Sequence, residues 1–468
     1  MFRKDKDILV LISILYALIG YTTEYPTMAM LGMMGWFGLL QLLFCIISWL
    51  KRGNQFISPY IIFLLCLYVF SYGQSFLWAF GLESERTLVG FYDITICEIF
   101  EAQVQTIIML AFFHIGAVYS MQKQQKRYFE YSLAIDYSYR LKQIGWMLFF
   151  ISIVPYLSET INSMVLSMSK GYGALYEGEG KVGLENLSGF ISDYFIPSVI
   201  CLFIAYKNNK KIRKLFLICF LLNVVAILLT GGRSNAVVLL SVVVLLYNYL
   251  VRKFTIRWLL AGCFATFMLL QLLAFIAKVR VEGFSASSGK NVKIENNAAI
   301  DAIAEMGSTM FCLIKTAELV PSKESFKYGK SYIYSFTTLI PNIGFWDIHP
   351  AKKEANLGDW LQQELNLGYG TGFSMCAEAF INFGHLSFIV FFFWGWFLST
   401  IFGKIEVSKQ TNNYALMAFL MILFWFFLKL PRNNFINLIR PVFFIAGPIY
   451  LYCIRFVKSK NNYNKLGI

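Results

Sequence analysis

The stretch LLTGGRSNAVVLL, residues 228–240, places an arginine between two apolar runs. A charge so close to hydrocarbon is costly, and such charges are rare outside functional sites. The surrounding residue types have a physical logic. Two glycines let the backbone turn sharply and approach a ligand closely. Ser234 or Asn235 can cap the helix that follows. The N–H groups at that helix start attract anions, and Arg233 adds a planar donor fork. Together they describe a seat for a phosphate or pyrophosphate. The competing reading is that Arg233 snorkels to lipid head groups or pairs with a carboxylate.

Other basic residues extend this set. Lys278 and Arg280 lie in FIAKVRVEG, Lys429 and Arg432 in FLKLPRNN, and Arg440 in FINLIRPVFF, just before Pro441. Arg233, Ser234, Arg280, Arg432 and Arg440 are the candidate pyrophosphate-binding residues. For Arg280 and Arg432 snorkelling is the simpler reading, because they close apolar runs; Arg440 lies deeper. Two residues are candidate proton acceptors. Glu378, in FSMCAEAFINF, sits inside an apolar run and can act as a general base or pair with one of the arginines as scaffold. His349, in WDIHPAKK, can act as a base near neutral pH. His114 and His385 fall inside apolar runs and are expected to pack or hydrogen-bond there. No His/Cys/Asp cluster has metal-ligand spacing, and no nucleotide-binding loop is present, so neither metal nor cofactor is expected. The nine cysteines are scattered, without a CxxC, and imply no pairing.

These residues must be held by membrane-embedded helices. Of the 468 residues 57% are hydrophobic and 15% charged, and runs of about 20 apolar residues recur from end to end, each able to cross the hydrocarbon core. Barrel strands would alternate in polarity over shorter segments, so the fold class is all-α and polytopic. We count twelve spans, near 8–25, 28–50, 59–80, 103–121, 142–159, 188–206, 214–229, 234–251, 257–279, 373–402, 412–429 and 435–455. The N-terminal run ILVLISILYALIGY is read as the first span, because no small-residue cleavage pattern follows it. Spans 1–9 occupy residues 1–279, a large loop residues 280–372, and spans 10–12 residues 373–468.

With twelve spans the basic loops MFRKDKD, WLKRGN, QKQQKRYFE with YRLKQ, YKNNKKIRK, VRKFTIR, GKIEVSKQ and RFVKSKNNYNK share one side. That side is cytoplasmic by the positive-inside rule, and both termini lie there. It carries 24 of the 41 Lys and Arg but five of the 27 acids, which leaves +19 inside and −5 outside. The net charge of +14 is therefore topology and gives no reason to invoke nucleic acid; its partner is the bilayer. The arginines above are the basic exceptions on an acidic outer face. They can meet at one site if their helices are neighbours.

The loop itself is long enough to imply function. NNAAIDAIAEMGSTMFCLIKTAELVP reads as one helix with Ile300, Ile303, Ala304, Phe311 and Ile314 on an apolar stripe. It either lies in the interface as a lid or packs on the span bundle. Farther on, NLGYGTGFSMCAEAFINFGHLSF is rich in glycine and aromatics, which suits sugar faces as well as an ordinary aromatic belt.

The GGRS turn (230–235), the large late loop, the GTGFSMCAEAFINFG stretch (370–384) and the weaker YGKSY…IPN stretch (328–342) resemble the Wzy-type polymerases of O-antigen or capsule repeat units. The resemblance extends to the span plan of the whole chain. It implies a substrate of short oligosaccharide on undecaprenyl pyrophosphate at the outer leaflet of the plasma (inner) membrane. The growing glycan would pass from its carrier onto a new lipid-linked unit. Arg233 would bind the pyrophosphate and a polar residue of the late loop would deprotonate the acceptor hydroxyl, with Glu378 and His349 as alternatives. A chain-length regulator protein is an expected partner. Two rivals are a glycan ligase, which shares this chemistry, and a lipid-linked oligosaccharide flippase, which would need ionisable groups along a midplane path.

Overall fold

The computed structural model describes residues 2–124, 138–170, 184–230, 232–255, 298–342, 344 and 346–455, and among them every regular element is helical. Among the described residues ten helical stretches are long and apolar enough to cross a membrane. They coincide with the expected spans 2–8 and 10–12. The first expected span forms helix α1 (Phe2–Thr22). The ninth, 257–279, lies outside the described residues, as do Lys278 and Arg280, so a count of twelve is not reached.

The remaining bundle is built from α2 (Met28–Leu50), α3 (Pro59–Ala79), α4 (Ile96–Gln124), α5 (Ser138–Lys170), α6 (Leu184–Ser192), α7 (Phe195–Ala205), α8 (Lys210–Leu229) and α9 (Arg233–Leu250). Small residues set its closest contacts, as expected where lipid gives no hydrophobic drive between helices. A Cβ on Gly35 of α2 would stand 2.0 Å from the Ser75 carbonyl oxygen of α3. Buried glutamines then tie the helices by hydrogen bonds. Gln41 Nε2 donates to Tyr68 Oη and to the Ile107 carbonyl, and Gln103 Nε2 donates to Ser75 Oγ. His114 bridges Tyr60 and Ser48, and His385 meets Gln105, as their positions in apolar runs led us to expect.

The segment 298–372 folds as short helices at one end of this bundle. The helix expected from NNAAIDAIAEMG onward is two, α10 (Ala298–Gly307) and α11 (Met310–Leu319). Two features account for the break. Gly307 presses on α3, where a Cβ would meet the Gln74 amide nitrogen at 2.4 Å. Ser308 Oγ and Thr309 Oγ1 donate to the carbonyls of Glu305 and Met306, closing the helix end. Both helices pack on the bundle and are half-buried to buried, which is the second of the two arrangements considered above. After them come α12 (Lys330–Ser335), α13 (Pro350–Glu354) and α14 (Leu357–Glu364).

The expected tenth span is also interrupted. Its first part is α15 (Met375–Phe383), capped by Ser374 Oγ, which accepts from the Ala377 amide. Gly384 then adopts a positive φ of 55°, and after one 3-10 turn the chain resumes as α16 (Ser387–Gln410). α16 pairs with α4 over the most extensive helix–helix contact in the described structure, through Gly116 and Gly395. The last two spans are α17 (Tyr414–Phe427), then α18 (Ile436–Arg440), a π-helical stretch from Pro441 to Ala446, and α19 (Gly447–Arg455). Pro441 lacks an N–H, so the regular ladder cannot pass through it.

Candidate functional site

Gln74, 1% exposed on α3, is the anchor of the site. Its Nε2 donates to the carbonyls of Arg86 (2.7 Å) and Ala304 (3.1 Å), and its Oε1 accepts from the Leu88 amide (3.0 Å). One buried amide therefore fixes the loop after α3 against α10. That places two side chains face to face: Arg86 Nη1 meets Glu305 Oε2 at 2.6 Å.

A third side chain joins them from α9. Arg233 is the first residue of that helix, and its Nη1 meets the same Glu305 Oε2 at 3.1 Å. The capping expected of Ser234 or Asn235 is not what forms. The N-cap is Gly232, without a side-chain bond, because the helix begins two residues earlier than a Ser234 cap requires and three earlier than an Asn235 cap. Ser234 instead lies within the first turn, buried, and its Oγ accepts from Arg432 Nη1 at 2.9 Å. Arg432 is delivered by a 3-10 turn, Leu430–Arg432, that follows α17.

These residues surround a cavity of about 750 Å³, a size common for ligand sites. Its wall includes Glu85, Arg86, Ser234, Asn235, Glu305, Thr309, Lys429, Arg432 and Asn433, together with Phe70, Phe91, Phe311, Tyr369 and Phe373. The turn 369–373, which leads into α15, forms one side. With Arg233 behind Glu305, the cavity gathers four cations and two carboxylates, a net charge of two positive. Lys429, on the cavity wall, rests its ammonium against an aromatic face, with Nζ 4.4 Å from the centre of the Trp425 ring. Burial pushes the Cys312 thiol up to about 12, against the opposing pull of Arg432. Burial and the bond to Tyr92 push the Tyr369 phenol up to about 12 as well. Both groups keep their protons at neutral pH and offer no ready nucleophile or base.

The sequence candidates divide accordingly. Arg233, Ser234 and Arg432 are brought together. Arg440 is exposed, donates its Nε to the Thr338 carbonyl at 3.0 Å, and is not part of the cavity wall. Arg280 lies outside the described residues. Glu378 is 2% exposed, and both of its oxygens are engaged: Oε1 accepts from Ser331 Oγ (2.9 Å) and Oε2 from the Phe435 amide (2.6 Å). Its partners are thus a hydroxyl and an amide, not an arginine as the scaffold alternative had it. Asn382 completes this junction by accepting from the Gly329 amide and donating to Ser331 Oγ. The YGKSY and AEAFINF stretches are therefore packed on one another, and Glu378 fastens both to the start of α18. His349 caps α13, its Nδ1 accepting from the Ala351 amide at 3.2 Å, and its Nε2 lies 3.1 Å from the Ile340 carbonyl oxygen. It does not line the cavity. Among the described residues no three His, Cys, Asp or Glu side chains gather closely enough to hold a metal ion.

Arg86 and Glu305 were not singled out from the sequence. Arg86 stands in a loop full of acids, LESERT, and Glu305 in a helix read for its apolar stripe. Arg86, a base among acids, carried a local signal; Glu305, in a run that also holds Asp301, carried none.

A model of the family described as O-antigen polysaccharide polymerase Wzy matches residues 8–464, nearly the whole chain. No curated protein and no solved structure matches it.

Proposed function

Because the chain belongs to the O-antigen polysaccharide polymerase Wzy family, we propose that its cavity is where lipid-linked repeat units are joined. The substrate is a short oligosaccharide on undecaprenyl pyrophosphate, presented at the outer leaflet of the plasma membrane. The growing glycan leaves its own carrier and is transferred to a hydroxyl of the incoming unit. The sugar–pyrophosphate bond is already activated, so no nucleotide sugar enters.

The observation that carries this reading is the convergence of Arg432 and Arg86 on the wall of a single cavity in a membrane bundle, with Arg233 joined to that wall through Glu305. The net charge of two positive complements the two negative charges of a pyrophosphate diester. Arg432 and Arg233 flank the start of α9, whose first-turn amides have no acceptor within the helix and favour an anion. As the bond to the sugar breaks, charge grows on the leaving pyrophosphate, and fixed guanidinium groups stabilise that charge more than they stabilise the intact donor. The aromatic side chains of the wall supply flat faces for sugar rings. Glu378 holds Ser331 and the start of α18 in place and so supports the turn that bears Arg432.

The test is glycan length in cells lacking this protein, with and without a plasmid copy. Single repeat units that become a ladder on complementation support the polymerase. Full-length glycan left on its carrier would point to a ligase, and units trapped on the inner leaflet to a flippase.

A further inference from the structure

Glu305 has one carboxylate oxygen that the fold leaves unanswered. Arg86 and Arg233 both meet Oε2, whereas Oε1 is buried and has no hydrogen-bond partner among the described residues. The residue is 8% exposed, and it forms part of the wall of the large cavity. Native proteins rarely bury an acceptor of this kind without a partner, and a catalytic role is one of the recognised explanations for such a group. Among the described residues the wall carries one other carboxylate, Glu85, and no other group there is ready to accept a proton. Glu85 is exposed, both oxygens of Glu378 are engaged, and the Cys312 and Tyr369 groups keep their protons.

We propose that Glu305 Oε1 is the general base that takes the proton of the acceptor hydroxyl. The inference rests on the reading of this cavity as the seat of glycosyl transfer from a lipid pyrophosphate. The attacked sugar carbon is bonded to the pyrophosphate itself, so the group that holds the leaving phosphate also fixes the site of attack. Glu305 shares Arg233 with that seat, which keeps base and leaving group within one side chain of each other. In the step, the acceptor O–H gives its proton to Oε1 while its oxygen forms the new bond to the sugar carbon. The bond from that carbon to the pyrophosphate oxygen breaks, and its electron pair leaves on the pyrophosphate, held by Arg432 and Arg233. The carboxyl then returns its proton to water. The two arginines on Oε2 fix the carboxylate and leave Oε1 without a competing partner among the described residues.

The test uses the full-length protein in lipid nanodiscs with synthetic repeat units on undecaprenyl pyrophosphate. Chain extension and binding of the lipid-linked unit are read separately. If the wild type binds the unit but does not extend it, the polymerase reading fails, and this inference with it. With an active wild type, Glu305→Gln is expected to retain binding and to extend at least about 100-fold more slowly, the low end of what a general base contributes. Extension within about threefold of wild type would overturn the inference while leaving the polymerase reading intact. Glu305→Ala with added formate is the second arm, because a small carboxylate entering the vacated space can accept the proton but is not anchored to α10 and so cannot tie that helix to Arg86 and Arg233. Recovery of extension by formate is expected; no recovery, together with lost binding in the Gln variant, assigns Glu305 a structural role and overturns the proposal. Should the Gln variant not fold, Glu305→Asp replaces it. A base withdrawn by about 1 Å is expected to slow extension on the order of 100-fold with binding retained, and a wild-type rate from the Asp variant overturns the inference.

Discussion

Arg432 and Ser234 provide a perturbation whose size can be worked out in advance. Arg432 Nη1 donates to the buried Ser234 Oγ at 2.9 Å, and this bond joins the turn after α17 to the start of α9. Arg432→Ala removes a fixed donor aimed at developing charge, which costs about 10²- to 10³-fold in rate at comparable sites. Ser234→Ala leaves the guanidinium in place but cuts its tether. A hydrogen bond to a charged group contributes about 1.5–3 kcal/mol, so the loss in extension rate should be roughly ten- to a hundredfold at one decade per 1.4 kcal/mol. If the serine acts only by orienting the arginine, the double variant should be no slower than Arg432→Ala alone, since coupled residues are not additive. The assay is the rate of ladder formation by purified protein at saturating lipid-linked unit. Full additivity would mean that Ser234 contributes independently of Arg432, and a wild-type rate from Ser234→Ala would mean that the bond does not position the arginine. Either result refutes the reasoning.

Three further outcomes follow from the same geometry. Glu378→Gln should lower the melting temperature, because two donors then face an uncharged amide at a cost of about 1–3 kcal/mol; extension by the protein that remains folded should persist, and its loss at an unchanged melting temperature would restore Glu378 as a base. His349→Ala should leave extension within about twofold of wild type, as for a half-buried position outside the cavity wall, and a large loss would place the histidine in the chemistry. Gly395→Ala would set a Cβ 1.9 Å from the Phe113 carbonyl oxygen, so α4 and α16 must separate, at a cost of at least about 1–3 kcal/mol; it should reduce the amount of folded protein in the membrane, and normal yield and melting temperature would contradict the packing described.

Much of the architecture was legible because lipid demands it. Runs of about twenty apolar residues can only be helices there, and ten of the twelve expected spans coincide with helices of that kind. The interruptions were less legible. Gly384 looked like one more small residue in an apolar run, yet it turns the chain with a positive φ beside Phe326, where a Cβ would stand 2.8 Å from the ring. Arg233 and Arg432 stood out as charges against hydrocarbon, but their meeting depends on α9 and the turn after α17 being neighbours, which no local pattern encodes. Glu305 was invisible for the opposite reason. An acid in an acidic-face loop breaks no local rule, and only the fold, through Gln74, sets it between two arginines with one buried oxygen that has no partner among the described residues. Glu378 drew notice as an acid in an apolar run; the structure explains its burial by two hydrogen bonds rather than by the cavity.

The most direct test of the central claim supplies purified protein with lipid-linked single repeat units and nothing else. Polymer length is read on a gel, and released undecaprenyl pyrophosphate is measured beside it. The account predicts a ladder from the wild type, with one carrier released for each linkage formed, and only single units from a folded Arg233→Ala/Arg432→Ala variant. A full ladder from that variant would contradict the assignment of the arginine-lined cavity as the place where the units are joined.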